Sequence, residues 1–376
     1  NKAWLDELGL PVPTTLDELH DALKAFQEND MSHTYYGNAA GSTIPMSTGF
    51  DQWCWGQNIF YSGFGFTNWP NDVCNDLHLK SDGTVEFVCV SDAYRDCMDY
   101  FHTWFREGLM DVEMFSQSDS QLMAKCQQGY VGVSTWWYID ELMGDYAGDY
   151  VFLPPLSGPK GTRYEDACQI TIRPGSPITS GQLCITGKCQ IPINLLKFFD
   201  QWYDGETVMQ LHYGPIGVYF TGQDENGMWM SITDEEAKDR YGKSAGELRN
   251  QYETYGPKLI LAEYYRDVFY MEPNAVNRLT WLAEDWMPYV KDTSVYPVDC
   301  TFTSMEMETL DWHKPDFETA VREQEGLWLK NGGKDGGAIT DEEWEAYKEF
   351  LTKKCGMDDL LQVYQAAYDR YTGTED

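Results

Sequence analysis

The strongest constraint in this sequence is a change of period that recurs along it. Asp119 to Gln127 reads as a short helix, Gly129 stops it, and Tyr130-Val131-Gly132-Val133-Ser134 follows as a buried strand. Similar changes flank this one. Thr15-Leu16-Asp17-Glu18 is a capping box, in which hydroxyl and carboxylate satisfy each other's backbone amides. Leu16, Leu19, Leu23 and Phe26 continue it at helical spacing. Ser91 caps a second helix with Tyr94, Cys97, Met98, Phe101 and Trp104 on one face and Gly108 as its stop. Asp149 to Leu153 reads as a strand ending at Pro154-Pro155, and Gln182 to Thr186 as another. Pro192 opens a helix through Leu195, Leu196, Phe199 and Trp202. In the tail, Thr340 and Glu343 make a further capping box, Trp344, Tyr347, Phe350 and Leu351 form its stripe, and Gly356 breaks it before a last helix. Strands alternating with helices give an α/β chain.

Composition bounds what such a chain can do. Its 376 residues, 42% apolar, suffice for two sizeable lobes. Sixty-one acidic against 27 basic residues leave a formal charge of -34. That charge repels phosphate backbones and anionic lipid, so nucleic-acid binding is set aside. No apolar run reaches the roughly 18 residues that span a bilayer. The ten cysteines contain no C-x-x-C pair, which excludes zinc ribbons and thioredoxin-like redox motifs. They are expected to be reduced, with Cys89, Cys97, Cys126 and Cys184 as small buried apolar residues.

Several stretches, in this order, resemble the extracellular solute-binding proteins of ABC importers, the family that includes maltose-binding protein and its lipoprotein relatives. They are Asn1 to Leu10 with Pro13-Thr14-Thr15, Glu107-Gly108-Leu109, and Gln128 to Val133 with Trp136-Trp137 after it. Pro154-Pro155-Leu156 with Gly158-Pro159, Ile185-Thr186 with Tyr213 to Gly217, and Glu342 to Tyr347 with Tyr364 to Tyr371 complete the set. The resemblance implies a class II periplasmic-binding-protein-like fold of two lobes. Residues 1–155 would form a first segment of the second lobe, 156–222 a first-lobe segment, and 223–376 the second-lobe return and C-terminal helices. On the same resemblance the signal, a lipid anchor and on the order of a hundred residues of the first lobe lie outside this chain. It implies no enzyme and no cofactor, but a monomeric cell-surface receptor for a sugar, partnered by a membrane permease. Relatives of the lipoprotein type carry a calcium loop after the first helix. Here Glu28 and Asp30 are the acidic residues of the corresponding stretch, too few for calcium, so loss of that site is expected.

Sugar recognition needs flat apolar ring faces and planar polar groups around them. Phe50-Asp51-Gln52-Trp53-Cys54-Trp55 alternates the two, which makes Asp51, Trp53 and Trp55 candidates. Trp136 and Trp137 follow a buried strand, where open α/β folds place ligands. One should face the ligand and the other the core. Tyr213 and Phe302 complete the candidates, on the resemblance. No H-E-x-x-H, G-x-S-x-G or phosphate-loop motif is present. A hydrolase using a carboxylate pair is the alternative, and a cell-surface interaction protein a third class.

Overall fold

Helices dominate, and most of the longer ones begin where the sequence supplies a side-chain acceptor to the first turn. In the computed structural model, which describes residues 1–50, 56–66, 77–167, 183–271, 273–290, 296–297 and 299–373, Thr15 Oγ1 accepts the Glu18 amide and opens helix Leu16–Glu28. The Glu18 carboxylate takes the Thr14 amide at 2.9 Å and the Thr14 hydroxyl at 2.8 Å, one residue before its expected partner. Ser91 caps Asp92–Arg106 through the Tyr94 amide. Thr340 and Glu343 form a reciprocal box on Asp341–Cys355, which ends at a left-handed Gly356.

The strands among the described residues are short. Strand Ile44–Met46 pairs in parallel with Val131–Val133. On its other side Met46 bridges in parallel to Met110. The strand is therefore central, and helices cover it, since parallel neighbours require crossover connections. Phe26 from Leu16–Glu28 lies directly on it: a Cβ at Gly132 would stand 2.7 Å from both the Phe26 ring and the Pro45 carbonyl. Trp4, Leu23, Phe26, Phe101 and Trp104 share one buried cluster with Phe317, Trp328 and Leu351 of the C-terminal helices.

Two expected strands do not form. Gly144–Asp149 is a 3-10 turn and 151–153 is irregular. A strand needs a neighbour to satisfy its backbone, and here side chains do part of that work: Trp286 Nε1 donates to the Leu153 carbonyl at 3.2 Å. Residues 183–186 are likewise irregular, which leaves Cys184 exposed rather than buried. Cys97, Cys126, Cys300 and Cys355 are free and buried, and Cys89 is buried.

The chain divides into two compact units, Asn1–Gly175 with Trp281–Asp376, and Ser176–Thr280. The sequence placed its boundaries at 155/156 and 222/223. The Pro-rich turn that suggested the first is stitched to the first unit. Ser157 bridges Thr15, Leu16 N donates to the Ser157 carbonyl at 2.9 Å, and Leu156 is buried. Around the second, the Phe220–Gln223/Trp229–Ser231 hairpin belongs to the core of the second unit, with Met209, Tyr213, Tyr219, Leu248 and Phe269. That unit also carries helix Pro192–Asp200, whose Ile193, Leu196 and Phe198 are 62%, 53% and 54% exposed.

Asp30, at a left-handed φ of 45°, ties down the loop before the central strand. Its carboxylate accepts the Gly41 amide at 2.6 Å, the Thr43 hydroxyl at 2.7 Å and the Thr43 amide at 3.3 Å. The Gly41 amide above all, with Thr43, holds its pKa below the ordinary 3.8.

Two outcomes follow from these contacts. A Cβ at Gly158 would meet the Tyr164 carbonyl oxygen at 2.1 Å and the Gly63 oxygen at 2.3 Å. Gly158→Ala should therefore lose about 1–3 kcal/mol in chemical denaturation, while Gly148→Ala, with open space around it, changes little; equal losses would refute the close approach. Asp30 has a depressed folded pKa, so its stabilisation exists above the unfolded value and fades as pH falls through the folded one. Asp30→Ala should lower Tm at pH 7, with the gap to wild type closing below about pH 4. A gap that stayed constant down to pH 3 would contradict this.

Candidate functional site

Where the central strand ends, the backbone is gripped by a polar network. Ser47 and Thr48 follow Met46 and are both buried. Ser47 N continues the ladder to the Val133 carbonyl at 3.1 Å. The Ser47 hydroxyl donates to Asp111 Oδ2 at 2.7 Å. Gln117 Nε2 donates to Ser47 Oγ at 3.1 Å and to the Thr48 carbonyl at 2.8 Å. Lys125, on helix Asp119–Gln127, donates to Asp111 and to Gln117 Oε1 and pairs with Glu113 at 2.6 Å. Burial works against the Lys125 ammonium, but hydrogen bonds to Asp111 and Glu113 outweigh it and leave its pKa raised. One ammonium thus holds two carboxylates, Asp111 and Glu113.

Phe50 comes next, its ring 4.9 Å from Phe115. Gly49 and Gly56 then bridge in parallel. Asp51, Trp53 and Trp55 lie outside the described residues.

On the neighbouring strand the chain leaves Val133 through Ser134 and Thr135 into the tryptophan pair. Trp136 is half-buried, its Nε1 donating to Glu141 Oε2 at 3.1 Å. With Leu5, Val12, Ala22, Phe152 and Leu153 it lines a cavity of about 120 Å³. Trp137 is 38% exposed. One indole thus faces outward and the other partly inward, at the carboxyl end of a parallel strand. Ligands of open α/β folds collect at such ends.

The remaining two candidates sit in packing positions. Tyr213 ends helix Gly205–Tyr213 and is buried in the second unit. Its ring stacks near Tyr219, Arg249 lies 4.8 Å above it, and its hydroxyl pairs with that of Tyr265 at 2.9 Å. Phe302 is half-buried against the core of the first unit, edge-on to Tyr364 at 5.8 Å. Ser47, Thr48, Gln117 and Lys125 were not legible in the sequence. Pro45 hides the strand that leads to them, since proline is out of place in a central strand pattern.

The loop that ends on this strand does not fit calcium. Both Asp30 oxygens are already engaged by N–H and O–H donors, and Asp30 with Glu28 supplies few of the carboxylates that calcium takes. Among the described residues no three His, Cys, Asp or Glu side chains gather as a metal site.

Comparison with known proteins agrees with this architecture. No family model matches the chain. It is 27% identical over 377 residues to the fructooligosaccharide ABC transporter substrate-binding protein FusA of Streptococcus pneumoniae, across 99% of this chain and 65% of the relative. The chain therefore spans less than two thirds of that protein's length. The S. pneumoniae FusA structure in complex with kestose superposes with a TM-score of 0.84 at 26% identity, covering 100% of this chain and 72% of that one. A human-milk-oligosaccharide (HMO) binding solute-binding protein of Bifidobacterium longum infantis shares the fold, with a TM-score of 0.74 at 21% identity over 99% of this chain and 73% of its own. In sequence and in fold, the chain is similar to sugar-binding solute-binding proteins of ABC transporters.

Proposed function

We propose that this chain is the greater part of an extracellular, non-enzymatic receptor that binds an oligosaccharide and delivers it to an ABC importer. The observation that carries this reading is the Trp136–Trp137 pair at a parallel strand's carboxyl end, in a chain similar along 99% of its length to a fructooligosaccharide receptor. Indole faces suit the C–H faces of sugar rings, and the planar amide and carboxylate groups near them suit hydroxyls. Ligand acts by hinge closure: it stabilises a closed form through contacts that form alone makes, and the closed form docks on the permease. The receptor is a monomer held at the cell surface by a lipid anchor outside this chain. Exposed Ile191, Ile193, Leu196 and Phe198 are the surface that further polypeptide of the same protein covers, because apolar patches of this kind rarely stay in water.

Titration of the full-length protein with kestose and longer fructooligosaccharides, followed by thermal shift, tests the binding. Ligand at a hundred times its Kd should stabilise by about 2.7 kcal/mol, with the sugar recovered intact. Trp137→Ala should weaken binding about tenfold with little change in the unliganded Tm. Released monosaccharide would favour a hydrolase, and no shift with any oligosaccharide would favour a protein-binding surface molecule. A longer version of the chain should also bind less of the apolar dye ANS than these 376 residues do; equal binding would refute the covered face.

A further inference from the structure

The tryptophan pair stands beside a carboxylate that the reading above leaves unused. Trp136 lines the cavity of about 120 Å³ together with apolar groups, among them Leu19, Ala22, Leu142, Met143 and Phe152. Packing thus leaves space beside this indole, and a void offers its lining no contacts that would hold a ring in one orientation. A directional contact acts there instead: Trp136 Nε1 donates to Glu141 Oε2 at 3.1 Å. A hydrogen bond to an ionised acceptor is stronger than one between neutral groups.

Glu141 is itself anchored. It lies on the short helix Ile139–Met143, whose Leu142 and Met143 are buried in one cluster with Leu122, Cys126 and Val131. Gln127, the last residue of helix Asp119–Gln127, donates from Nε2 to the Glu141 carbonyl at 3.0 Å. The same side chain runs past the end of the short helix, where a Cβ at Gly144 would stand 3.3 Å from Gln127 Cγ. The backbone that carries Glu141 is therefore fixed by a core and by a neighbouring helix. The residue itself is exposed, so its charge stays hydrated while one oxygen takes the indole.

We propose that Glu141 is a positioning residue for oligosaccharide binding: its carboxylate holds the Trp136 indole by Nε1 at the edge of the cavity and so sets the ring face presented to a sugar. This rests on the receptor function proposed above. With Nε1 given to Glu141, Trp136 meets the sugar through its ring face and not as a hydrogen-bond donor.

Indole N–H signals in NMR spectra of the full-length protein, carrying isotope-labelled tryptophan, read the tether directly. The Trp136 signal is assigned by its loss in Trp136→Phe. Glu141→Ala should move that signal upfield and speed its exchange with water. Glu141→Gln keeps a side-chain oxygen and should leave the signal near its wild-type position. Titration with kestose and longer fructooligosaccharides supplies the second readout. Kd should rise about fivefold in Glu141→Ala, the loss of one hydrogen bond, and about twofold at most in Glu141→Gln. The unliganded Tm should stay near wild type in both, because the side chain is exposed. In a Trp136→Phe background, Glu141→Ala should cost nothing further, since the group it acts through is gone. An unmoved Trp136 signal, an unchanged Kd in Glu141→Ala, or a further loss in the double variant would overturn the proposal. A wild type that binds none of these sugars would defeat the receptor reading instead, and the indole signal would then decide whether the tether exists.

Discussion

The parallel backbone pairing of residues 44–47 with 131–133 on one side and 109–111 on the other is the contact on which the first unit turns. It joins three stretches far apart in sequence, and each is followed by residues of the candidate site. After Met46 come Ser47, Thr48 and Phe50; after Met110 come Asp111 and Glu113; after Val133 come Trp136 and Trp137. The ladder therefore does more than stabilise. It sets three chain exits side by side, and the Gln117–Lys125 network locks two of them together. A parallel sheet this small survives because helices bury both of its faces.

Charge has a separate role. A formal charge of -34 favours solubility and disfavours anionic partners, but it does not shape the fold. Where carboxylates matter structurally, each meets specific donors. Asp30 holds the Gly41 and Thr43 amides, Glu306 takes Arg370 through both guanidinium arms at 2.7 and 2.6 Å, and Glu325 takes two tyrosine hydroxyls. At Asp30, two backbone N–H groups and one hydroxyl point at a single anion.

Much of the helical architecture was legible because it is local. A cap residue, its partner three positions on and an apolar stripe at 3.6-residue spacing all lie within one or two helical turns. Thr340 with Glu343 and Ser91 with Tyr94 behave as their spacing dictates. The strand at Val131 was legible too, as an apolar run between a stop and a tryptophan pair. Asp149–Leu153 carried an equally good pattern and is not a strand, because pattern does not supply a neighbour. Of the candidate site, Trp136 and Trp137 stand where the strand predicted, whereas Tyr213 and Phe302 pack into cores.

The sequence by itself determined the α/β character, the helix starts and stops, and the placement of paired indoles just past a buried strand. Each follows from interactions among residues a few positions apart. Tertiary structure alone decided that a proline-containing triplet becomes the central strand, that Ser47 and Thr48 run from it into the Asp111–Gln117–Lys125 network, and that the Pro154–Lys160 turn packs on Thr15 instead of leaving the unit. These depend on backbone pairing and burial between segments some hundred residues apart, and no local preference encodes which distant partner will be present.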